Sequence, residues 1–264
     1  MYILIRGAND VGSAVARLLF MEGYSVILHD AAQPATARRG MSFTDAIFDG
    51  RATLENVTAE LADNDARLNQ ILEERKVIPV SIENISTLIE TLRPQALIDA
   101  RMRKHHQPEP QRGLAPLTVG LGPNFNAGET VDVAIETGWD LMGQIIWRGA
   151  TQPLSGDPRE IEGHARDRYI YAPIAGTFHT THQIGDKVQK DEEVARIDSF
   201  PLLAPISGAL RGLTRDGVPI SPKTKVVEID PREIGAQVSG VGERPARIAQ
   251  GVLEALQRWA KKSF

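Results

Sequence analysis

Two stretches of the chain repeat one plan. APIAGTFHTTHQIGDKVQKDEEVARID begins at Ala172 and APISGALRGLTRDGVPISPKTKVVEID at Ala204, an offset of 32 residues held without a gap. Ala172, Pro173, Gly176, Gly185, Val194, Ile197 and Asp198 recur as Ala204, Pro205, Gly208, Gly217, Val226, Ile229 and Asp230. Gly and Pro at matched places cut each copy into short strands that cannot bury an apolar side alone. The two copies are expected to interlock as a small flattened barrel over about residues 170–232.

The first part of the chain, residues 1–122, follows a different rhythm. YILIRG and YSVILHD are apolar strands, and VGSAVARLLFMEG between them has helical spacing, with Val11, Ala14, Val15, Leu18 and Leu19 on one face. After an irregular insert come helix NDARLNQILEERK, strand VIPVSI, helix NISTLIETLRP, strand QALIDAR, a polar loop and strand LAPLTVGLGP. Strands alternating with helices predict a parallel, Rossmann-like doubly wound sheet. Residues 123–264 are expected to be a second, β-rich domain: GETVDVAIET and GQIIWRG read as a hairpin around Gly138-Trp139-Asp140. It closes on an amphipathic helix at about 243–262, with Pro245 in its first turn and Ile248, Val252, Leu253, Leu256 and Trp259 on its apolar face.

In a sheet of that kind ligands sit beyond the C-terminal strand ends. The residues expected there are Arg6 and Gly7, His29 and Asp30, Asp99 and Arg101, then Gly120, Gly122 and Pro123. Arg38 and Arg39 follow the second strand, and Arg103, Lys104 and Arg112 lie in the loop after ALIDA. Arginines on rim loops point to an anion, because the planar guanidinium donates two parallel hydrogen bonds. The turn Arg6-Gly7-Ala8-Asn9-Asp10-Val11-Gly12 is a dinucleotide fingerprint short of its middle glycine. Asn9 fills the space a pyrophosphate would approach, and Asp10, read as the N-cap of the following helix, competes for the same backbone donors. Asp30 stands 23 residues after Gly7, near the place of a ribose-binding acid. The expected ligand contacts are Arg6, Gly7, Asn9, Asp10, Gly12, Asp30, Arg38, Arg39, Asp99, Arg101, Gly120 and Gly122, with no residue assigned to catalysis or to a metal.

Composition removes several chemistries. The absence of cysteine excludes disulfides, thiolate metal sites and a thiol nucleophile in this chain. Of the histidines, His105-His106 read as loop residues, and His179 and His182, three apart on a strand, point to opposite faces and cannot share an ion. A net charge of −4 gives no overall basic field for nucleic acid. No apolar run reaches a membrane span, and the start of the sequence has no secretory pattern, so a cytoplasmic protein is expected.

The repeat resembles the biotinyl/lipoyl carrier family, whose carrier lysine stands at the hairpin tip joining the copies. Here that joint is Asp198-Ser199-Phe200-Pro201-Leu202-Leu203, without a lysine, so neither biotin nor lipoate is expected. The fold class expected for the whole chain is therefore α/β: a Rossmann-like doubly wound parallel sheet, then a β-rich half with a biotinyl/lipoyl-like barrel-sandwich hybrid and a C-terminal helix.

Over roughly residues 2–255 the chain resembles the YqeB-type accessory proteins of selenium-dependent molybdenum hydroxylase systems. The positions that carry the likeness are Arg6-Gly7-Ala8-Asn9-Asp10, Arg38-Arg39 before SFTDAIFDG, PLTVGLGPNFNAG and AIET. GWDLMGQ after the last of these, and PLSG at Gly156, depart from the family pattern. The resemblance implies an accessory or maturation role for a molybdenum hydroxylase, with molybdopterin or a related dinucleotide as the ligand. The hydroxylase or its maturation machinery would be the partner, and a homo-oligomer is left open. Two other readings stand beside it. An NAD(P)-dependent oxidoreductase would use Gly7, Gly12 and Asp30, with Asp99 as its one acid–base candidate; a structural adaptor would dock a partner through the barrel.

Overall fold

The computed structural model describes residues 2–103, 107–153, 158–232 and 234–263. Lys104, His105-His106 and the Leu154-Ser155-Gly156 part of PLSG lie outside the described residues. One large sheet holds β1 (Tyr2–Arg6), β2 (Ser25–His29), β3 (Arg51–Leu54), β4 (Val57–Leu61), β5 (Ile78–Ser81), β6 (Ala96–Asp99) and β7 (Leu117–Leu121). A two-residue strand, β8 (Asn126–Ala127), precedes its last members, β9 (Val133–Ile135) and β10 (Ile145–Ile146); β8 itself pairs with β11 (Gly149–Ala150). The order across the sheet is β10-β9-β7-β6-β1-β2-β5-β4-β3.

The expectation of a doubly wound, wholly parallel sheet within residues 1–122 is corrected here. The sheet is mixed: β3 lies antiparallel to β4 at one edge and β10 antiparallel to β9 at the other. The cause is local. Glu55-Asn56 closes a tight turn, with Glu55 in the left-handed region at φ 54°, and so short a connection can only reverse the chain. This hairpin lies in what the sequence reads as an irregular insert. At the other edge the sheet continues past residue 122 by taking in β9 and β10.

The inner strands are buried on both faces, as their unbroken apolar runs require. On one face, α1 (Asp10–Met21) packs Val11, Ala14, Val15 and Leu19 onto Ile3, Ile5, Val26 and Leu28. On the opposite face α3 (Asp65–Glu74) and α4 (Ile85–Leu92), which follow the short α2 (Ala46–Asp49), cover Leu4, Ile27 and Leu97 with Leu68, Ile71, Leu72 and Leu88. The last helix, α5 (Glu243–Ser263), joins α1: Ile248, Val252, Leu253 and Leu256 are buried in the same core as the first strands.

Residues 169–230 contain β12 (Tyr169–Tyr171), β13 (Gly176–His179), β14 (Lys187–Val188), β15 (Glu193–Ile197), β16 (Phe200–Leu203), β17 (Gly208–Leu213), β18 (Pro219–Ile220) and β19 (Lys225–Asp230). The expected single barrel is also corrected. The strands form two four-stranded antiparallel sheets, β12-β19-β17-β14 and β16-β15-β13-β18, and no strand pair joins them among the described residues. Side chains hold them together instead: Phe178, Val188, Val194, Ile197, Leu210, Val226 and Ile229 form one core. The repeat is visible in the packing. A Cβ on Gly176 would lie 2.3 Å from Asp198 and one on Gly208 2.3 Å from the Asp230 carbonyl, so matched glycines allow matched close approaches.

Gly12 is the tightest point of the first turn. A Cβ there would stand 1.8 Å from the Gly7 carbonyl oxygen. Gly12→Ala is expected to cost about 3 kcal/mol, the upper end of the range for overpacking, measured by urea unfolding. A loss under about 0.5 kcal/mol would mean that the turn yields freely.

Candidate functional site

The loop after β1 is folded around its own polar groups. The Asn9 side-chain oxygen accepts hydrogen bonds from the backbone N–H of Val11 (3.0 Å) and Gly12 (3.1 Å), which makes Asn9, not Asp10, the N-cap of α1. Its amide nitrogen donates to the Ala100 carbonyl at 2.8 Å. The Ala8 N–H donates to the Asp30 carboxylate at 2.7 Å, and burial pushes the Asp30 carboxyl above its ordinary value. A phosphate at a helix N-terminus relies on such backbone donors, and here protein oxygens use them. Gly7 sits at φ 106° against the Ala100 backbone. Gly120 leaves room for the Phe125 ring, and the Gly122 carbonyl accepts from the Thr151 hydroxyl at 2.9 Å.

The arginines at the strand ends are likewise spent internally. Arg6 donates to Glu109 at 2.8 Å; Arg101 pairs with Asp99 and, at 2.7 Å, with Glu109; Arg103 also bonds Glu109. Gln111 donates to Asp99 at 2.5 Å. Burial alone would raise the Glu109 and Asp99 carboxyls. At Glu109 its own backbone N–H and the bonds from Arg101 and Arg103, and at Asp99 the bonds from Arg101 and Gln111, prevail and hold both below the usual range. Asp99 is thus a fixed, charged partner of Arg101, which removes it as an acid–base candidate. His179 lies 3.4 Å from Asp216, and His182 lies 3.5 Å from Asp186. Among the described residues no group of three His, Cys, Asp or Glu could hold a metal ion. No described helix is long and apolar enough to cross a membrane.

Arg38 and Arg39 reach in the opposite direction, toward the paired small sheets. Arg39 donates to the Leu213 carbonyl at 2.8 Å and pairs with Asp45 at 2.8 Å, beside a polar cleft of about 630 Å³ lined also by Thr180, His182 and Arg215. Arg215 in that cleft is held by Asp49 at 2.5 Å. Arg38 grips Glu228 of β19 through Nε (2.7 Å) and Nη2 (2.9 Å), and Asp10 of α1 through Nη1 (2.9 Å). One guanidinium therefore joins the first turn of α1, 28 residues before Arg38, to a strand residue 190 residues after it.

Glu228 is fully buried and collects further cations: Lys225 at 2.9 Å, Arg168 at 3.2 Å and Arg211 at 3.6 Å. Asp230 beside it pairs with Arg232 at 2.5 Å and Arg211 at 3.6 Å. Burial opposes charge on Glu228, but Lys225 and Arg38 outweigh it and hold the carboxyl well below its ordinary range. Burial wins at Lys225 and lowers the ammonium pKa. The Tyr169 ring lies against two cations, with the Arg168 guanidinium carbon and Lys225 Nζ each 4.8 Å from its centroid. Arg244, in the first turn of α5, donates through Nε to the Thr137 carbonyl at 2.9 Å and feels Asp10, Arg38 and Tyr169. Among the described residues no carboxylate lies within 4 Å of Arg244. Among the described residues the junction thus gathers Arg38, Arg168, Arg211, Lys225, Arg232 and Arg244 around Asp10, Glu228 and Asp230, with Glu162 also acting on Arg232.

Of the residues expected to contact a ligand, Arg38 and Asp10 meet at this junction, and Arg6, Asp99 and Arg101 meet at the strand ends around Glu109. Sequence reading missed Glu228, Arg168, Tyr169, Lys225, Arg244 and Glu109. The one available signal is KVVEID, where acids interrupt a buried apolar strand. Glu228→Gln strands its cations and should destabilise the fold by about 3–5 kcal/mol near neutral pH. Because the folded carboxyl titrates below the unfolded one, that gap should narrow as pH falls below about 4. Urea unfolding from pH 7 to pH 3 checks both, and a gap independent of pH would contradict the assignment.

No family model matches the chain. It is 37% identical over 257 residues, 96% of its own length, to "Uncharacterized protein YqeB" of Escherichia coli K12, and it spans 47% of that protein. Among solved structures it is similar to a succinylglutamate desuccinylase/aspartoacylase from Rhodobacter sphaeroides. That likeness has TM-score 0.23 and 17% identity over 54% of this chain and 60% of that one. A second is an aspartoacylase family protein from Mesorhizobium loti, with TM-score 0.26 and 12% identity over 84% of this chain and 61% of that one. These structures are described as desuccinylases and aspartoacylases, not as molybdenum hydroxylase accessory proteins. The expected accessory role, with its phosphorylated or dinucleotide ligand in the strand-end crevice, and the oxidoreductase and barrel-docking alternatives have no counterpart in these descriptions and are not taken further. Against a ligand in that crevice stands the geometry: its arginines and backbone donors are paired with protein acceptors. Likenesses this low carry no argument about the activity of this chain. The identity along nearly its whole length supports a YqeB-type family, and the chain spans about half the length of the curated relative it matches.

Proposed function

We propose that the chain binds a small anion at the junction between the large sheet and the two small ones. The observation that carries this reading is the surplus of cations there, with Arg244 lacking a carboxylate within 4 Å among the described residues. Cations withdrawn from water without a counter-charge are costly. An anion bound only by the folded state offsets that cost and raises stability by about 2.7 kcal/mol at a hundred times its Kd. For a chain of this size that is a rise in Tm of about 5–10 °C.

Thermal unfolding in acetate, succinate, sulfate and inorganic phosphate, at ionic strength fixed with chloride, tests the reading. A saturable rise specific to some of these anions, and absent from Arg244→Ala, is the expected result. Equal shifts in every salt, or the same shift in the variant, would contradict it.

The lysine-free joint Asp198-Ser199 is the turn of the β15–β16 hairpin and offers no carrier attachment point. We propose accordingly that the protein carries no biotin or lipoate. The intact mass of chain isolated from cells should match the sequence, and an increment of either group would overturn this.

A further inference from the structure

We propose that two copies of this chain join through the outer face of the β16-β15-β13-β18 sheet, in a twofold contact that sets the same patch against itself.

The internal repeat carries the argument. A shift of 32 residues matches β12 with β16, β13 with β17, β14 with β18 and β15 with β19, and so turns the order β12-β19-β17-β14 into β16-β15-β13-β18. The register follows. Tyr169 opposite Glu228 and Tyr171 opposite Lys225 become Pro201 opposite Arg196 and Leu203 opposite Glu193, and each pairing skips the same position, Val226 in one sheet and Val194 in the other. Residues directly opposite one another share a face, so the two small sheets present equivalent outer faces.

One of these faces is covered. Glu228 and Arg211 are buried on it, Arg38 reaches Glu228 at 2.7 Å, and the Leu213 N–H donates to the Ala37 carbonyl at 2.7 Å, so the segment after β2 lies across it. On the other face Arg196 and His179 stand in the places of Glu228 and Arg211, and both are exposed. So are Glu193 and Pro201. Leu203 is 49% exposed, and Phe200, at the hairpin end of β16, 45%. Large apolar side chains grouped beside a charged pair mark a contact surface.

The charges select the occupant. The covered face pairs Lys225 with Glu228; the open face exchanges the signs and pairs Glu193 with Arg196. A cation like Arg38 therefore cannot serve where Arg196 stands. A second copy can: across a twofold axis Glu193 of each copy faces Arg196 of the other, and one patch supplies both halves of two ion pairs, with Leu203 between them. Pro201 has no N–H to give to a further strand, so the copies meet face to face and do not extend the sheet from the β16 edge.

Sedimentation velocity of the full chain over a concentration series tests this, on wild type, Arg196→Glu, the exchange Glu193→Arg with Arg196→Glu, and Leu203→Asp. Wild type should be a reversible dimer. Arg196→Glu sets like charges opposite each other and should weaken association at least tenfold, on the order of the cost of one like-charge contact. The double exchange keeps the patch self-complementary and should restore the dimer, which a variant that merely disturbs the fold would not do. Leu203→Asp keeps both charges and should also release monomer. Wild type that stays monomeric up to about 0.1 mM would overturn the proposal, whatever other protein then covers this face. A dimer indifferent to Arg196→Glu and Leu203→Asp, or a double exchange as weak as the single, would overturn it equally.

Discussion

The bond between Arg38 and Glu228 is the constraint on which the arrangement of the molecule depends. Glu228 is wholly buried on β19, and a carboxylate there is tolerable only with cations around it. Arg38 supplies two parallel hydrogen bonds and turns its third nitrogen to Asp10. Since Asp10 opens α1 and α1 packs on both β1 and α5, this one side chain ties the small sheets to the core of the large one. Arg39 adds a second tie through the Leu213 carbonyl.

The strand ends of the large sheet show how a crevice can look equipped for a ligand and be filled by the protein itself. Arg6, Arg101 and Arg103 converge there, but Glu109 and Asp99 converge with them. The turn after β1 follows the same rule: Asn9 and Asp30 take the donors that a nucleotide would use. At the junction the balance is reversed, because Glu228 and Asp230 are outnumbered by the cations they attract. Rim arginines therefore identify an anion site only when the carboxylates within their reach are counted.

Much of the framework is legible in the sequence because it is local. YILIR, SVILH and ALID are apolar runs that become buried strands, and the tail helix buries the face its spacing assigns to the core. The repeat is legible because matched glycines and aspartates serve matched contacts. The β3–β4 hairpin was hidden by its polar sequence, RATLENVTAEL, and its turn residue Glu55 carries no glycine signal. The use of Arg38 could not be read at all. Its partners stand 28 and 190 residues away, and nothing in the local pattern distinguishes an arginine waiting for a ligand from one already paired.

A double-mutant cycle between Arg38→Met and Glu228→Gln, read by urea unfolding at neutral pH, tests the central claim most directly. If the pair holds the two parts together, the effects of the single variants will not add, and the coupling will be about 2–3 kcal/mol. Losses that add to within about 0.5 kcal/mol would show that Arg38 and Glu228 act independently, and would contradict the account.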